Sequence, residues 1–598
     1  MNKVKRILAL SLLCLVGAVL NASAEVYYAN LSDYGLRPNK SINSRDHIGK
    51  RFRKALDAAL KLRPSSADTL IVQLAPGDYY FASETPHPAP LYISNHDHSP
   101  VRYVGMSLDS LTNVVVDGQG STLFFEAPAA LPIAITHSDG CKLSNLSIDY
   151  PKPHILQAVV EANDTVEGEI TLLLPDYADI SIKGGKMTLK VDGVDVTPRV
   201  CIAFEENTGR VVYRTSDVGV SLDNPRKIGK HSVKVKWHNP ALMVGTRLAM
   251  RTYARLCPAI FVDECADIAL SDVNVHYAEG MGLLAQNSSD ISLRCFKVMR
   301  STRYPERMHT TQADATHFSG CRGKIKSVDG FYEGMMDDAI NIHGTYLKIT
   351  DIFADRRSIS GAFMHDQSFG FKWAEIGDSV AVVRSKVMDY VGQPVVIETV
   401  DPLHDAEGVI RGYNLTLAEP LSPDIDIENE MYGIENLSAT PEIYFAGNKV
   451  RNNRARGALF SSPRRTIVEN NLFDHTSGTA ILLCGDCNGW FESGACHDIL
   501  IRNNRFINAL TSLYQFTNAV ISIYPEIPDL NGQQGYFHSG IEIRDNLFET
   551  FDMPILYAKS VNGLKFIGNK IEHNEDYAPY HPNDVMIRLE RVTNVSIE

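Results

Sequence analysis

The feature that most constrains this chain is an asparagine that keeps returning one coil later. It appears in Asn448-Lys449-Val450, Asn470-Asn471-Leu472-Phe473, Asn503-Asn504-Arg505-Phe506, Asn546-Leu547-Phe548 and Asn569-Lys570-Ile571. Asn448 to Asn471 and Asn546 to Asn569 are each 23 residues apart, and the gaps of 33 and 42 between them leave insertions after Leu483 and Asn508. A short apolar strand precedes each bend, as in Ile467-Val468, Ile499-Leu500-Ile501, Ile541-Glu542-Ile543 and Leu564-Lys565-Phe566. The same grammar runs earlier, through Leu143–Ile148, Ile268–Val273, Ile291–Leu293 and Ile325–Val328. A period near 23 with three short strands per turn predicts an all-β chain wound as a right-handed parallel β-helix. Asparagine suits the bend: it tolerates left-handed φ, and its amide can bond the asparagine of the next coil. A β-sandwich has no reason to keep such a period.

Two stretches break the rhythm with longer alternating strands and hairpin signals such as Val191-Asp192-Gly193-Val194. They are read as small β-barrel or β-sandwich modules inserted at 157–250 and 367–438. The remaining segments are then an N-terminal cap with the first coils (25–156), a central β-helix (251–366) and C-terminal coils (439–598). His47–Leu62 has helical spacing at Ile48, Phe52, Leu56, Ala59 and Leu60 and is placed as the cap over the first open coil.

Residues 1–24 read as a signal peptide: Lys3, Lys5 and Arg6, an apolar run from Ile7 to Leu20, then Ala22-Ser23-Ala24. The chain is therefore expected to be exported, periplasmic or extracellular, with no later membrane span. A net charge of −13 makes nucleic acid a poor partner and a neutral sugar a better one than a polyanion. Nine of the ten cysteines follow the signal. Cys141, Cys265 and Cys321 precede equivalent strands and are expected in the core. Cys484, Cys487 and Cys496 have metal-like spacing, and in an exported chain a disulfide is favoured over zinc there, with free thiols as the remaining option.

The chemistry concentrates between Arg300 and Thr345. Asp314 and Asp337 are 23 residues apart, so Asp314 and the Asp337-Asp338 pair are expected on adjacent coils at nearly one azimuth. Where this coil has Gly334-Met335-Met336-Asp337-Asp338, an earlier one has Gly280-Met281-Gly282-Leu283-Leu284 and a later one Gly478-Thr479-Ala480-Ile481, without carboxylates. Three clustered carboxylates repel, so at least one pKa rises, and glycoside hydrolysis needs one protonated and one ionised group. Arg303, Arg307, His309, His317, Asn341 and His343 are candidates to bond sugar hydroxyls, and Trp373 to stack on a sugar face. No metal or cofactor is called for. A solvated Asp-rich turn or a Ca²⁺ site are the competing readings of the pair. Cα atoms one coil apart lie about 5 Å apart, whereas an inverting pair wants carboxyls about 6.5–9.5 Å apart, so the side chains must fan outward.

The spaced Asp and Asp-Asp-Ala-Ile-Asn-Ile-His-Gly resemble the pattern of polygalacturonases. Over the whole mature chain, with its signal peptide and two inserts, the sequence more closely resembles the bacterial exo-α-1,3-galactosidases of glycoside hydrolase family 110. That resemblance implies removal of terminal α-1,3-galactose from blood-group B and linear Galα1-3Gal glycans, inverting and without a cofactor. It implies Asp314 as general acid, with Asp337 and Asp338 holding and activating water; in the polygalacturonase pattern one of the pair is the acid instead. Rival readings are a polygalacturonase-like hydrolase, a lyase (for which the acidic cluster is the wrong chemistry) and a non-catalytic glycan-binding β-helix.

Overall fold

A computed structural model describes residues 24–598 apart from 43–45, 84–85, 98, 126–129, 513–517 and 582. Residues 1–23 of the expected signal peptide lie outside the described residues. Among the described residues a sheet of 31 strands, parallel except where Glu492–Ser493 runs antiparallel to Gly344-Thr345, winds through the chain as a β-helix. Many of its strands place every second side chain in the interior, as in Ala266–Val275, while others such as Thr316–Ser319 and Ile340–Thr345 are buried on both faces. Strand pairing then stacks like on like: Ile268, Ile291, Ile325 and Ile443 are in register on successive coils, all buried. Phe473, Phe506 and Phe548 form another column, with ring centroids 5.1 and 4.8 Å apart. Such offset aromatic stacks add to the burial of apolar surface that holds the coils together.

The asparagine ladder forms as the period predicts. Asn448 Nδ2 donates to Asn471 Oδ1, Asn471 to Asn504, Asn504 to Asn546 and Asn546 to Asn569, at 2.9–3.1 Å. Each Oδ1 also accepts the backbone N–H of the ladder residue on the preceding coil. The left-handed residue, however, is the one before: Gly447, Asn470, Asn503, Asp545 and Gly568 have φ between 54° and 67°. The two roles assigned to one asparagine are thus divided between neighbours. Asn470, Asn503 and Asp545 are exposed and two of the left-handed residues are glycines, while the ladder residue must aim its amide inward, where every polar atom needs a partner.

Both inserts leave and rejoin the helix side by side, so the interrupted coil resumes where it stopped. The first is a seven-stranded antiparallel sheet with a three-stranded companion, and its opening strand Leu156–Asp164 pairs with its closing strand Arg247–Arg251. The second is a closed six-stranded barrel in which Leu347 pairs with Ile434. Leu347–Ile352 and Ser358–Ala362, placed in the central β-helix at the sequence level, are barrel strands. Helix α1 (Ile48–Ala59) buries Ile48, Phe52, Ala55, Leu56 and Ala59 in the main core and ends in a 3₁₀ turn over Leu60–Leu62.

The favoured disulfide is not formed. No disulfide joins any two of the nine described cysteines. Cys487 Sγ lies 3.1 Å from Ser385 Oγ, and Cys496 Sγ lies 3.4 Å from the Phe460 carbonyl, so each thiol is engaged by a different element. Cys141, Cys265 and Cys321 are buried, as expected. Among the described residues no helix is long and apolar enough to cross a membrane.

Candidate active site

Asp314 precedes the strand Thr316–Ser319, and Asp337-Asp338 precede Ile340–Thr345 on the next coil. Thr316 pairs with Ile340, a step of 24 residues here, so Asp338 rather than Asp337 stacks on Asp314. The Asp338 N–H donates to Asp314 Oδ1 at 3.3 Å. Gly334 makes the turn before the pair possible. Its φ is +67°, and a Cβ there would meet the Met308 carbonyl at 2.6 Å.

The following coil supplies the counter-charge. Ile340 pairs with Ala458, which brings Arg456 over Asp338. Arg456 Nε donates to Asp338 Oδ1 at 2.8 Å and Nη2 to Oδ2 at 2.9 Å, a bidentate fork. Arg456 Nη2 and Arg255 Nη2 also reach the two oxygens of Asp337, at 3.4 and 3.1 Å. One oxygen from each of Asp314, Asp337 and Asp338 lies within 4.8 Å of the others.

These surroundings divide the three carboxyls. Burial, with the Asp337 charge beside it, pushes Asp314 up to about 8. Burial also works against ionising Asp337, but Arg456, Arg454, Arg255 and Arg251 outweigh it and hold that carboxyl below its ordinary value. For Asp338, burial first and then its acidic neighbours push the carboxyl well above its ordinary value against the pull of Arg456. The guanidinium, itself held protonated by Asp338 and Asp337, meets both oxygens of Asp338, which is the geometry of an ionised carboxylate.

A pocket of about 360 Å³ opens over the cluster, lined by Asp314, Asp337 and residues from five further segments. Asn95 comes from the N-terminal region, and Gln367 from the barrel. Arg251, Tyr253 and Arg255 arrive from the end of the first insert, Arg454 and Arg456 from the next coil, and Trp490 and Glu492 from the 484–496 loop. Tyr253 holds φ at +75°, strain of the kind found at working sites, and its hydroxyl donates to Asp217, which takes both Nε and Nη2 of Arg454. Trp490 is 40% exposed, stacks on His365 at 4.2 Å and carries Arg255 on its ring.

Of the residues proposed for sugar contact, His317 and Asn341 line this pocket. His343 stands behind them, its Nε2 2.8 Å from His317 Nε2. The other four are corrected. Arg303 pairs with Asp78 at the surface. Arg307 is buried against Asp149 and Tyr277. His309 is buried edge-on to Tyr277. Trp373 is 6% exposed in the barrel core, its Nε1–H donating to the Thr345 carbonyl. Nearness in sequence to Asp314 misplaced the first three, because a β-helix coil changes face every few residues. Arg454 and Arg456 had a readable signal: Arg456-Gly457-Ala458 aligns with Asp338-Ala339-Ile340 one coil on. The barrel between the two coils hid that alignment.

No protein-family model matches the chain. Solved structures similar in fold include the A-module of an Azotobacter vinelandii mannuronan C-5 epimerase (8% identity, TM-score 0.42, 95% of this chain and 100% of that one). Another is a family 28 exopolygalacturonase of Yersinia enterocolitica (10% identity, TM-score 0.35, 96% and 79%). Curated relatives are far nearer. The chain is 46% identical to an alpha-1,3-galactosidase B of Phocaeicola vulgatus over 99% of its own length and 100% of that protein's. Identity to the alpha-1,3-galactosidase B of Bacteroides fragilis is 47%, over 98% of both chains. It is 36% to that of Akkermansia muciniphila, over 97% of this chain and 69% of that one. At such identity over nearly its whole length, this chain belongs to the alpha-1,3-galactosidase B family.

Proposed function

We propose that this protein is an exported exo-glycosidase that hydrolyses terminal α-1,3-linked galactose from blood-group B glycans, linear Galα1-3Gal glycans or both, with inversion. The observation that carries the reading is the split between a carboxyl held protonated and a carboxylate held ionised at one pocket, Asp314 and Asp337. Asp314 gives its proton to the glycosidic oxygen as the bond to the anomeric carbon breaks. Asp337 and Asp338 hold a water whose oxygen attacks that carbon, and the pair takes its proton. With Asp314 neutral, the guanidiniums of Arg251, Arg255, Arg454 and Arg456 are matched by the carboxylates of Asp217, Asp337, Asp338 and Glu492. That balance suits an uncharged sugar better than the uronates of a polygalacturonase-like enzyme. Trp490 offers an exposed ring face for the sugar. Asn341 lines the pocket, and its buried Oδ1 has no hydrogen-bond partner among the described residues. A pocket walled by Asn95, Gln367 and Trp490 takes a chain end, consistent with exo action.

The close approach of the carboxyl oxygens favours a second reading, retention with Asp337 as nucleophile. Inversion is preferred because guanidinium groups hold both Asp337 oxygens, which damps nucleophilicity while orienting a water. Incubation with blood-group B trisaccharide and linear Galα1-3Gal, followed by NMR, decides between them. Initial β-galactose is expected. Initial α-galactose selects retention, and no galactose from either substrate removes the assignment. Asp314→Asn should lower natural-substrate hydrolysis by about 10²–10⁴-fold, the worth of general acid catalysis. An aryl α-galactoside with a good leaving group should be spared much of that loss.

A further inference from the structure

Behind Asp314 runs a buried chain that leaves the pocket. His317 Nδ1 lies 2.7 Å from Asp314 Oδ2, His317 Nε2 lies 2.8 Å from His343 Nε2, and His343 Nδ1 lies 2.6 Å from the Gly344 carbonyl oxygen. Both rings are about 1% exposed at the side chain. Only one end of this chain has no choice of role. A carbonyl accepts and cannot donate, so His343 Nδ1 carries a hydrogen. In a neutral ring His343 Nε2 is then a lone pair, and His317 Nε2 must donate to it. His317 Nδ1 is left as an acceptor, and the hydrogen shared with Asp314 must belong to the carboxyl.

We propose that His343, acting through His317, holds Asp314 in its protonated form, so that the Gly344 carbonyl selects which of the three carboxyls is the acid. This rests on the reading of Asp314 as general acid. His343 is a positioning residue: it does not line the pocket, and it is separated from Asp314 by a whole ring.

The charges around the chain agree with a neutral His317 ring. Asp314 faces Asp337, Asp338, Arg255, Arg456 and Glu492. His317 faces Glu492, Arg255, Asp337 and the buried His96, and burial lowers it well below the ordinary histidine value. His343 Nε2 also lies 3.4 Å from Glu492 Oε1, longer than a charge-assisted bond of about 2.7–2.9 Å. That oxygen already accepts from Asn95 Nδ2 at 3.0 Å, and Asn341 also bonds the Glu492 carboxylate.

The test is the basic limb of the pH profile. Asp314 must be protonated to act, and its carboxyl sits at about 8, so activity is present below that value and lost as pH rises through it. In His343→Leu the acceptor is gone. His317 can then place its hydrogen on Nδ1 and donate to the ionised carboxylate, which lowers the Asp314 pKa. The basic limb of kcat/KM should move down by about one pH unit or more. His343→Gln, whose amide oxygen still accepts, should restore the wild-type limb. A His343→Leu enzyme whose rate falls by one factor at every pH, with the limb unmoved, overturns the proposal.

Imidazole nitrogen NMR of the unaltered protein tests it without a variant. The Nε2–H form of His317 with the Nδ1–H form of His343 is expected, and a His317 carrying its hydrogen on Nδ1 overturns it. So does one tightly bound transition metal per chain, found by elemental analysis, because a cation would use both Nε2 lone pairs. A wild-type enzyme that releases no galactose at any pH would defeat the galactosidase reading instead. The tautomers would still be measurable.

Discussion

Arg456 sets the charge of the pair it faces. Asp338 is fully buried and has both oxygens on this one guanidinium. Removing one partner of a buried pair leaves an uncompensated charge, which costs about 3–5 kcal/mol. Arg456→Met should therefore destabilise the fold by about that amount near neutral pH, read by denaturant unfolding. Without the arginine, burial raises the Asp338 pKa further, so the loss should shrink as pH falls and the carboxyl takes up a proton. A loss that is constant with pH would show that Arg456 acts by packing and not by charge. The three aspartates were legible in the sequence because their spacing is close to one coil. Their division of labour was not, since it depends on arginines brought in from residues 251–255 and 454–456.

At the scale of the element, the ladder separates two adjacent asparagines by function. Asn503 is exposed with φ at +54°, and Asn504 is buried with its amide in the ladder. Asn503→Gly should change stability by less than about 1 kcal/mol, because glycine adopts that φ freely. Asn504→Gly removes the acceptor for both Asn471 N–H groups and the donor to Val468 O and Asn546 Oδ1. Buried groups left unsatisfied cost about 1–3 kcal/mol each, so this change should be several-fold worse in the same assay. Equal effects would contradict the division of roles. The period located both residues, but which of the two turned inward was decided by backbone φ.

At the scale of the molecule, no covalent staple joins the coils among the described residues. Cohesion comes from a continuous core that runs from α1 at the first coil to Phe566 near the last. A native disulfide is worth about 2–5 kcal/mol, so a reducing agent would lower the Tm of a stapled protein clearly. Here dithiothreitol should leave the Tm unchanged, and a drop of several degrees would reveal a bond. The inserts have a further effect at this scale. The first carries Arg251, Tyr253 and Arg255 to the pocket as it rejoins the helix, and the barrel contributes Gln367. The modules that interrupt the repeat therefore build the walls of the site, and those walls carry no period by which a sequence could announce them.

The sequence by itself determined the winding, the asparagine ladder and the presence of three carboxylates on adjacent coils, because a repeated period is local information that any coil displays. Only the tertiary structure decided which carboxyl keeps its proton, which tryptophan meets the pocket and which arginines pair with the acids. Those outcomes depend on burial and on charges from segments as far apart as Asn95 and Glu492, and such distances are set by folding and not by spacing along the chain.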